Sequence, residues 1–248
     1  TDWYIEFATN SLGLAYTSQS LYTDEIDSSN WDEIISRPDV KVGISDPRLD
    51  SCGYRTLMVC QLAELYFEDE SIMDGITGGF SPPVTVDGDN GVYSVSVPEI
   101  VAPQKAVLRG SSMRLLAILE SGDIDYAFMY KSMAEQYGLG FLELPSEINL
   151  GSDGYKELVE ELKVTLSFQR FASVNPEFSC QPIVYGITIP QNAPHPELAM
   201  ELVQFIMGPE GQRILQDAHQ PLTVPLRIDN PDNLPGELVF LTEQGSNY

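Results

Sequence analysis

The sequence predicts an α/β fold built on a largely parallel sheet. Three segments carry that expectation, because each reads as a strand followed by a helix, the first two through a short polar turn: residues 44–58, 106–120 and 122–137. With 248 residues the chain is long enough for one large domain or two modest ones, each with a real core.

Taken in order, residues 3–17 (WYIEFATNSLGLAYT) are apolar and aromatic with little charge, and predict one mostly buried strand. Asn30 is placed to cap a short helix over 31–36, which Pro38 stops, and residues 40–45 form the next strand. From Ser51 onward, apolar residues at 54, 57, 58, 62 and 65 fall on one face, so 52–67 reads as an amphipathic helix. Residues 84–97 alternate around Asp87-Gly-Asp-Asn-Gly91, a hairpin signal. Strand 106–109 then meets Gly110-Ser111-Ser112 as turn and cap, followed by helix 113–120. Residues 122–130 predict a strand and 131–137 a helix ended by Gly138.

The later part is coded less sharply. Residues 155–162 have helical spacing, whereas 163–168 alternate like a strand. The run PIVYGITIP (182–190) predicts a buried strand bounded by prolines. Pro196 opens an amphipathic helix over 196–207, closed by Gly208-Pro209, and 210–218 continue as helix. The last twenty or so residues, rich in Asn, Asp, Pro and Gly, predict a surface tail.

Composition narrows the function. Acidic residues outnumber basic ones 37 to 13, giving a formal charge of -24 spread along the chain. Phosphate backbones would be repelled, so nucleic acid is excluded as a partner. Cys52 and Cys60 sit on one predicted helix, roughly 12 Å apart along its axis and too far to bridge. With Cys180 and only two distant histidines, His195 and His219, the sequence holds no zinc or haem pattern and implies no cofactor. No apolar run approaches the roughly 18 residues that a membrane span needs.

Chemistry concentrates at two strand-to-helix junctions, 45–54 and 109–113. In open α/β sheets ligands lie outside the carboxyl ends of strands, and helix N-termini there present free N–H groups to anions. A small oxyanion held between two helix ends is one reading. The other is that Asp50, Ser51, Ser111 and Ser112 only cap their helices. Catalytic signatures such as G-x-S-x-G, a P-loop or G-x-G-x-x-G are missing from the sequence, and neither histidine has a nearby nucleophile, so no enzyme activity is assigned. Glu120, Asp123 and Asp125 read as solvated charges, Tyr126 and Phe128 as core. Tyr130 ends its strand and so faces the carboxyl-end crevice.

The stretches ISDPRLDSCGYRTLM (44–58), LESGDIDYAFMYKSMAEQYG (119–138), QPIVYGITIP (181–190) and PELAMELVQFIMGPEGQRIL (196–215), in that order, resemble the archaeal-type tungstate/molybdate-binding proteins, which are extracytoplasmic solute-binding components of ABC transporters. The resemblance implies a two-lobed periplasmic-binding-protein (type II) fold with hinge strands, closing over the anion. It implies residues 1–16 as the first hinge-crossing strand and 17–181 as an α/β lobe carrying the anion-binding helix N-termini. Residues 182–190 would be the return hinge strand, and 191–248 part of the other lobe, whose N-terminal portion is absent from this chain.

The resemblance also implies the ligand and its contacts. Molybdate or tungstate would bind at Asp50, Cys52, Gly53, Ser112 and Tyr130, through backbone N–H groups at Cys52, Gly53 and Ser112 and hydroxyls of Ser112 and Tyr130. In the family two carboxylates can coordinate the metal and expand it to six ligands. Asp50 matches the first acid, while Ser112 stands where the second would be, and serine cannot replace a carboxylate ligand. Asp46 reads as a turn residue. The implied partner is an ABC transporter permease, the protein a monomer, and its location extracytoplasmic, in the periplasm or on the outer face of the cell membrane, anchored through a segment not in this chain. A different small anion, sulfate or a carboxylate metabolite, and a sensor domain are the alternative readings.

Overall fold

In the computed structural model the apolar run near the start forms two strands rather than one, β1 (Tyr4–Asn10) and β2 (Leu12–Tyr16). The break at Ser11 arises because each half hydrogen-bonds into a different sheet. It is also where the chain divides into two units, Thr1–Asn10 with Ile183–Tyr248, and Ser11–Pro182. The structure describes residues 2–99, 105–167, 176–239 and 241.

After β2 the larger unit runs α1 (Trp31–Ile35), β3 (Val42–Ser45), α2 (Ser51–Phe67), α3 (Ile72–Thr77), β4 (Thr85–Asp89), β5 (Val92–Val97), β6 (Val107–Arg109), α4 (Ser112–Glu120), β7 (Tyr126–Tyr130), α5 (Lys131–Gln136), β8 (Gly140–Glu143), β9 (Glu161–Leu166) and β10 (Glu177–Ser179). Among the described residues its main sheet has the order β6-β3-β7-β2-β8. Strand β3 is parallel to β6 and β7, whereas β2 is antiparallel to β7 and β8, so the sheet is mixed. The register sets Ser45 beside Arg109 and Val42 beside Tyr126, which brings the carboxyl ends of β6, β3 and β7 to one edge.

A second sheet, ordered β10-β9-β5-β4, lies in the same unit. Its β4–β5 hairpin turns at Asn90 and Gly91, with φ of 50° and 85°. Two positive φ angles in a two-residue loop give the type I′ turn whose twist matches the strands. The helix expected over 155–162 is only a 3-10 turn, Asp153–Glu157. Parallel pairing of β9 with β5 draws Glu161 and Leu162 into the sheet instead, and Phe168 lies outside the described residues.

The amphipathic reading of α2 needs correction. Every residue from Thr56 to Ala63 is buried, which is more than two helical turns and so covers all sides. The helix contacts β3 and β7 of one sheet and β9 of the other, leaving its middle no solvent face. Asn30 precedes α1 without capping it, since its side chain binds Asp27 and Glu25 instead.

The smaller unit adds β11 (Ile183–Ile187), α6 (Pro196–Met207), α7 (Pro209–Asp217) and β12 (Leu222–Asp229), with β1 between β11 and β12 in an antiparallel sheet. As an edge strand β11 alternates in exposure and is not fully buried as its apolar composition suggested. The predicted tail is also corrected. Leu234, Leu238 and Leu241 are buried with Trp3, Ile5, Val203 and Met207, because that sheet and α6 need a further apolar layer. Residues 242–248 lie outside the described part.

Candidate functional site

The parallel strands β3, β6 and β7 deliver three segments to one edge of the sheet: the loop into α2, the turn into α4, and Tyr130. The loop into α2 is fastened first. The Asp46 N–H donates to the Arg109 carbonyl at 2.7 Å, tying the end of β6 to the start of the loop. The Asp46 carboxylate accepts the Arg48 guanidinium fork at 2.8 and 2.6 Å as well as the Arg48 N–H at 3.0 Å. A further Arg48 nitrogen reaches the Glu99 carbonyl at 2.6 Å. Asp46 is thus a buried loop clamp whose oxygens are committed to Arg48.

Gly53 sets how closely α2 approaches that loop. A Cβ at this position would lie 2.4 Å from the Ser45 carbonyl oxygen and 2.6 Å from the Pro47 nitrogen, both backbone atoms. Only glycine permits the contact, so the Gly of the C-G-Y-R stretch is a packing requirement.

Asp50 is the N-cap of α2, with one carboxylate oxygen accepting the Cys52 N–H at 2.8 Å. Its other oxygen accepts the Ser112 N–H at 3.0 Å, across 62 residues of sequence. One carboxylate therefore closes the N-termini of two helices, where the positive ends of both dipoles stabilise it. The Gly53 N–H is also held, by the Asp50 carbonyl at 3.1 Å. The expectation that Ser111 and Ser112 supply the cap of α4 is corrected, since Ser111 makes no side-chain cap bond.

Tyr130, at the carboxyl end of β7, completes the cluster. Its hydroxyl lies 3.0 Å from the Ser51 hydroxyl and accepts a 2.7 Å bond from the Arg55 guanidinium. Burial raises the phenol well above its usual range, so Tyr130 stays protonated and keeps a hydrogen to donate. The Arg55 guanidinium carbon sits 5.7 Å from the Tyr54 ring centre and 5.8 Å from that of Tyr130. Tyr54 is in turn stacked on Phe178 at 4.2 Å, which braces this turn of α2 against β10.

The five residues singled out in the sequence thus meet at one place: Asp50, Cys52 and Ser112 by direct hydrogen bonds, Gly53 by its close approach, and Tyr130 through Ser51. Arg55 was not among them. Its signal was its position, because a cation near a helix N-terminus opposes the dipole and needs some other reason to be there. Cys52 contributes only backbone; burial pushes its thiol up to about 12, and the thiol donates to the Phe128 carbonyl. No group of three or more His, Cys, Asp and Glu side chains is gathered for a metal ion among the described residues. What the cluster offers is a carboxylate already holding two N–H groups, beside hydroxyls and a cation, of which the hydroxyls and the cation are the groups that can receive a small oxyanion.

Residues 1–219 match the family model described as bacterial extracellular solute-binding protein. The chain belongs to that family. Its members are binding components of transporters rather than enzymes, and the family is extracellular by description. The chain is 39% identical over 226 residues to an uncharacterized solute-binding protein of Methanoculleus marisnigri, covering 90% of this chain and 62% of that protein. It is 37% identical over 244 residues to the molybdate/tungstate-binding protein WtpA of Pyrococcus abyssi, covering 95% and 67%. With WtpA of Thermococcus kodakarensis the identity is 36%, covering 95% and 65%. The chain thus spans roughly two thirds of the length of these relatives.

Proposed function

We propose that this solute-binding protein captures molybdate or tungstate at the junction of α2 and α4 and presents it to an ABC transporter permease. The observation that carries the reading is the Asp50 carboxylate suspended between the Cys52 and Ser112 N–H groups. The identity to two proteins named for molybdate and tungstate supports it.

A bare carboxylate 4 Å from a unit of like charge costs about 4 kcal/mol at an effective dielectric of 20, and a dianion doubles that. Asp50 is not bare. Each of its oxygens already receives an N–H from a helix end, which offsets its charge, and each keeps a lone pair for the metal atom. On this reading Cys52 and Ser112 act on the anion through Asp50, while the Tyr130 and Ser112 hydroxyls bind its oxygens. With Ser112 where relatives of this kind can have a second acid, the centre gains one protein oxygen rather than two. Closure of a hinge over the anion, a monomeric state and anchoring outside the cytoplasm belong to the same proposal.

Ser112 also favours a second reading, a site that holds another small anion such as sulfate or a carboxylate metabolite by hydrogen bonds alone. Calorimetric titration of the purified protein with molybdate, tungstate and sulfate separates the two. Direct coordination by Asp50 predicts tight binding of both metal oxyanions and weak competition by sulfate. Equal affinity for sulfate favours the second reading, and no heat with any of the three sinks the first and the sulfate form of the second.

A further inference from the structure

Arg55 is the one basic side chain of the cluster that no carboxylate neutralises. Among the described residues it forms no ion pair, whereas Arg48 is committed to Asp46. It is half-buried, and its hydrogen bond goes to a neutral phenol at 2.7 Å. Arg109 and Arg114, at the neighbouring turn, are exposed and correspondingly screened. In a chain of formal charge -24, a guanidinium set five positions after the shared N-cap and left without a counterion is an unbalanced feature. A charge taken partly out of water without a partner is costly, and a half-buried cation with no carboxylate beside it suits an anion that is not part of the chain.

The hydrogen-bond arithmetic adds a second function. The Tyr130 oxygen accepts from Arg55, which leaves the phenolic hydrogen to point elsewhere, toward Ser51 or toward a ligand. When Ser51 donates to that same oxygen, the Tyr130 hydrogen is free for the ligand, and Arg55 has fixed its direction. We infer that Arg55 is the positioning and charge-selecting residue of the site, orienting the Tyr130 hydroxyl and supplying an unpaired positive charge, so that a doubly charged tetrahedral oxyanion is preferred over a singly charged one. The inference rests on the reading of the junction as an oxyanion site.

Perrhenate tests it, being a tetrahedral oxyanion of the same kind as tungstate with one charge fewer. The purified protein is titrated with tungstate and perrhenate, as are Arg55→Met, Arg55→Gln and Arg55→Lys variants whose folding is checked by circular dichroism. The native protein should favour tungstate by at least a hundredfold. Arg55→Met and Arg55→Gln, both neutral, should each reduce the tungstate-to-perrhenate ratio about tenfold or more, equivalent to ~1.4 kcal/mol. Arg55→Lys keeps the charge and should restore the ratio to within about threefold of the native value while weakening both anions through loss of the Tyr130 contact. An unchanged ratio in either folded neutral variant, or a native ratio near one, overturns the inference and leaves the oxyanion site standing. Failure of the native protein to bind either anion removes the site itself and the inference with it.

Discussion

Asp50 and Ser112, 62 residues apart in sequence, are joined by a 3.0 Å hydrogen bond from the Ser112 N–H to the Asp50 carboxylate. The bond makes the cap of α4 a tertiary contact, and it couples the two strand-to-helix junctions into one unit. Removing it should therefore cost more than one helix cap. Asp50→Ala leaves the first turns of both α2 and α4 without an acceptor, a loss of about 2 kcal/mol if each cap is worth ~1. Thermal melts should show a fall of several degrees, with Asp50→Asn intermediate because its NH2 group replaces one of the two oxygens that accept the Cys52 and Ser112 N–H groups. A melt unchanged in Asp50→Ala would mean that the carboxylate does not hold the helices.

Gly53→Ala tests the close approach of α2 to the loop after β3. The added methyl would meet backbone atoms of Ser45 and Pro47, which cannot rotate aside. The helix must shift, with a loss of about 1–3 kcal/mol typical of overpacking. Because the shift also moves the Cys52 N–H, anion affinity should fall alongside stability. A variant as stable as the native protein with native affinity would show that the contact is looser than it looks.

Stability should depend on pH through Glu64, in the last turns of α2. Burial, reinforced by Asp74, Asp69 and Glu70, raises its carboxyl to about 7, although one oxygen accepts the Met73 N–H at 2.8 Å. Its folded-state value lies above the unfolded one, so between roughly pH 4.5 and 7 the folded state binds the extra proton and stability falls as pH rises. The group is half exposed, so after allowance for solvent screening the effect is about 1 kcal/mol. Glu64→Gln keeps an acceptor for Met73 and should flatten denaturant midpoints measured from pH 5 to pH 8. If the curves of the native protein and the Glu64→Gln variant run parallel, the assignment is wrong.

The thiols give a further check. Cys52, Cys60 and Cys180 are free and buried, with Cys52 and Cys180 pushed up to about 12 by desolvation. At pH 8 about one such thiol in ten thousand is ionised, so a disulfide-exchange reagent should react slowly until denaturant is added. Fast native labelling of Cys52 would contradict the packing of α2 against β7.

How much of this was readable in the sequence depended on how local the cause was. The α6 boundaries were legible because Pro196 and Gly208 act on their own helix. The two junctions were legible because strand, polar turn and helix follow one another directly. The shared cap was not, since local spacing offered Ser111 and Ser112 for a task that a residue 62 positions away performs. The all-round burial of α2 was hidden for the same reason, because one of its covering strands, β9, comes some hundred residues later. Leu234, Leu238 and Leu241 were lost among turn-forming neighbours whose composition masks a widely spaced apolar pattern.

The site itself is tested most directly by diffraction from crystals grown with tungstate, using data collected at the tungsten absorption edge. The account predicts one strong anomalous peak at the α2–α4 junction, within coordination distance of an Asp50 oxygen and beside the Ser112 and Tyr130 hydroxyls. A peak elsewhere in the molecule, or none at saturating tungstate, would contradict it.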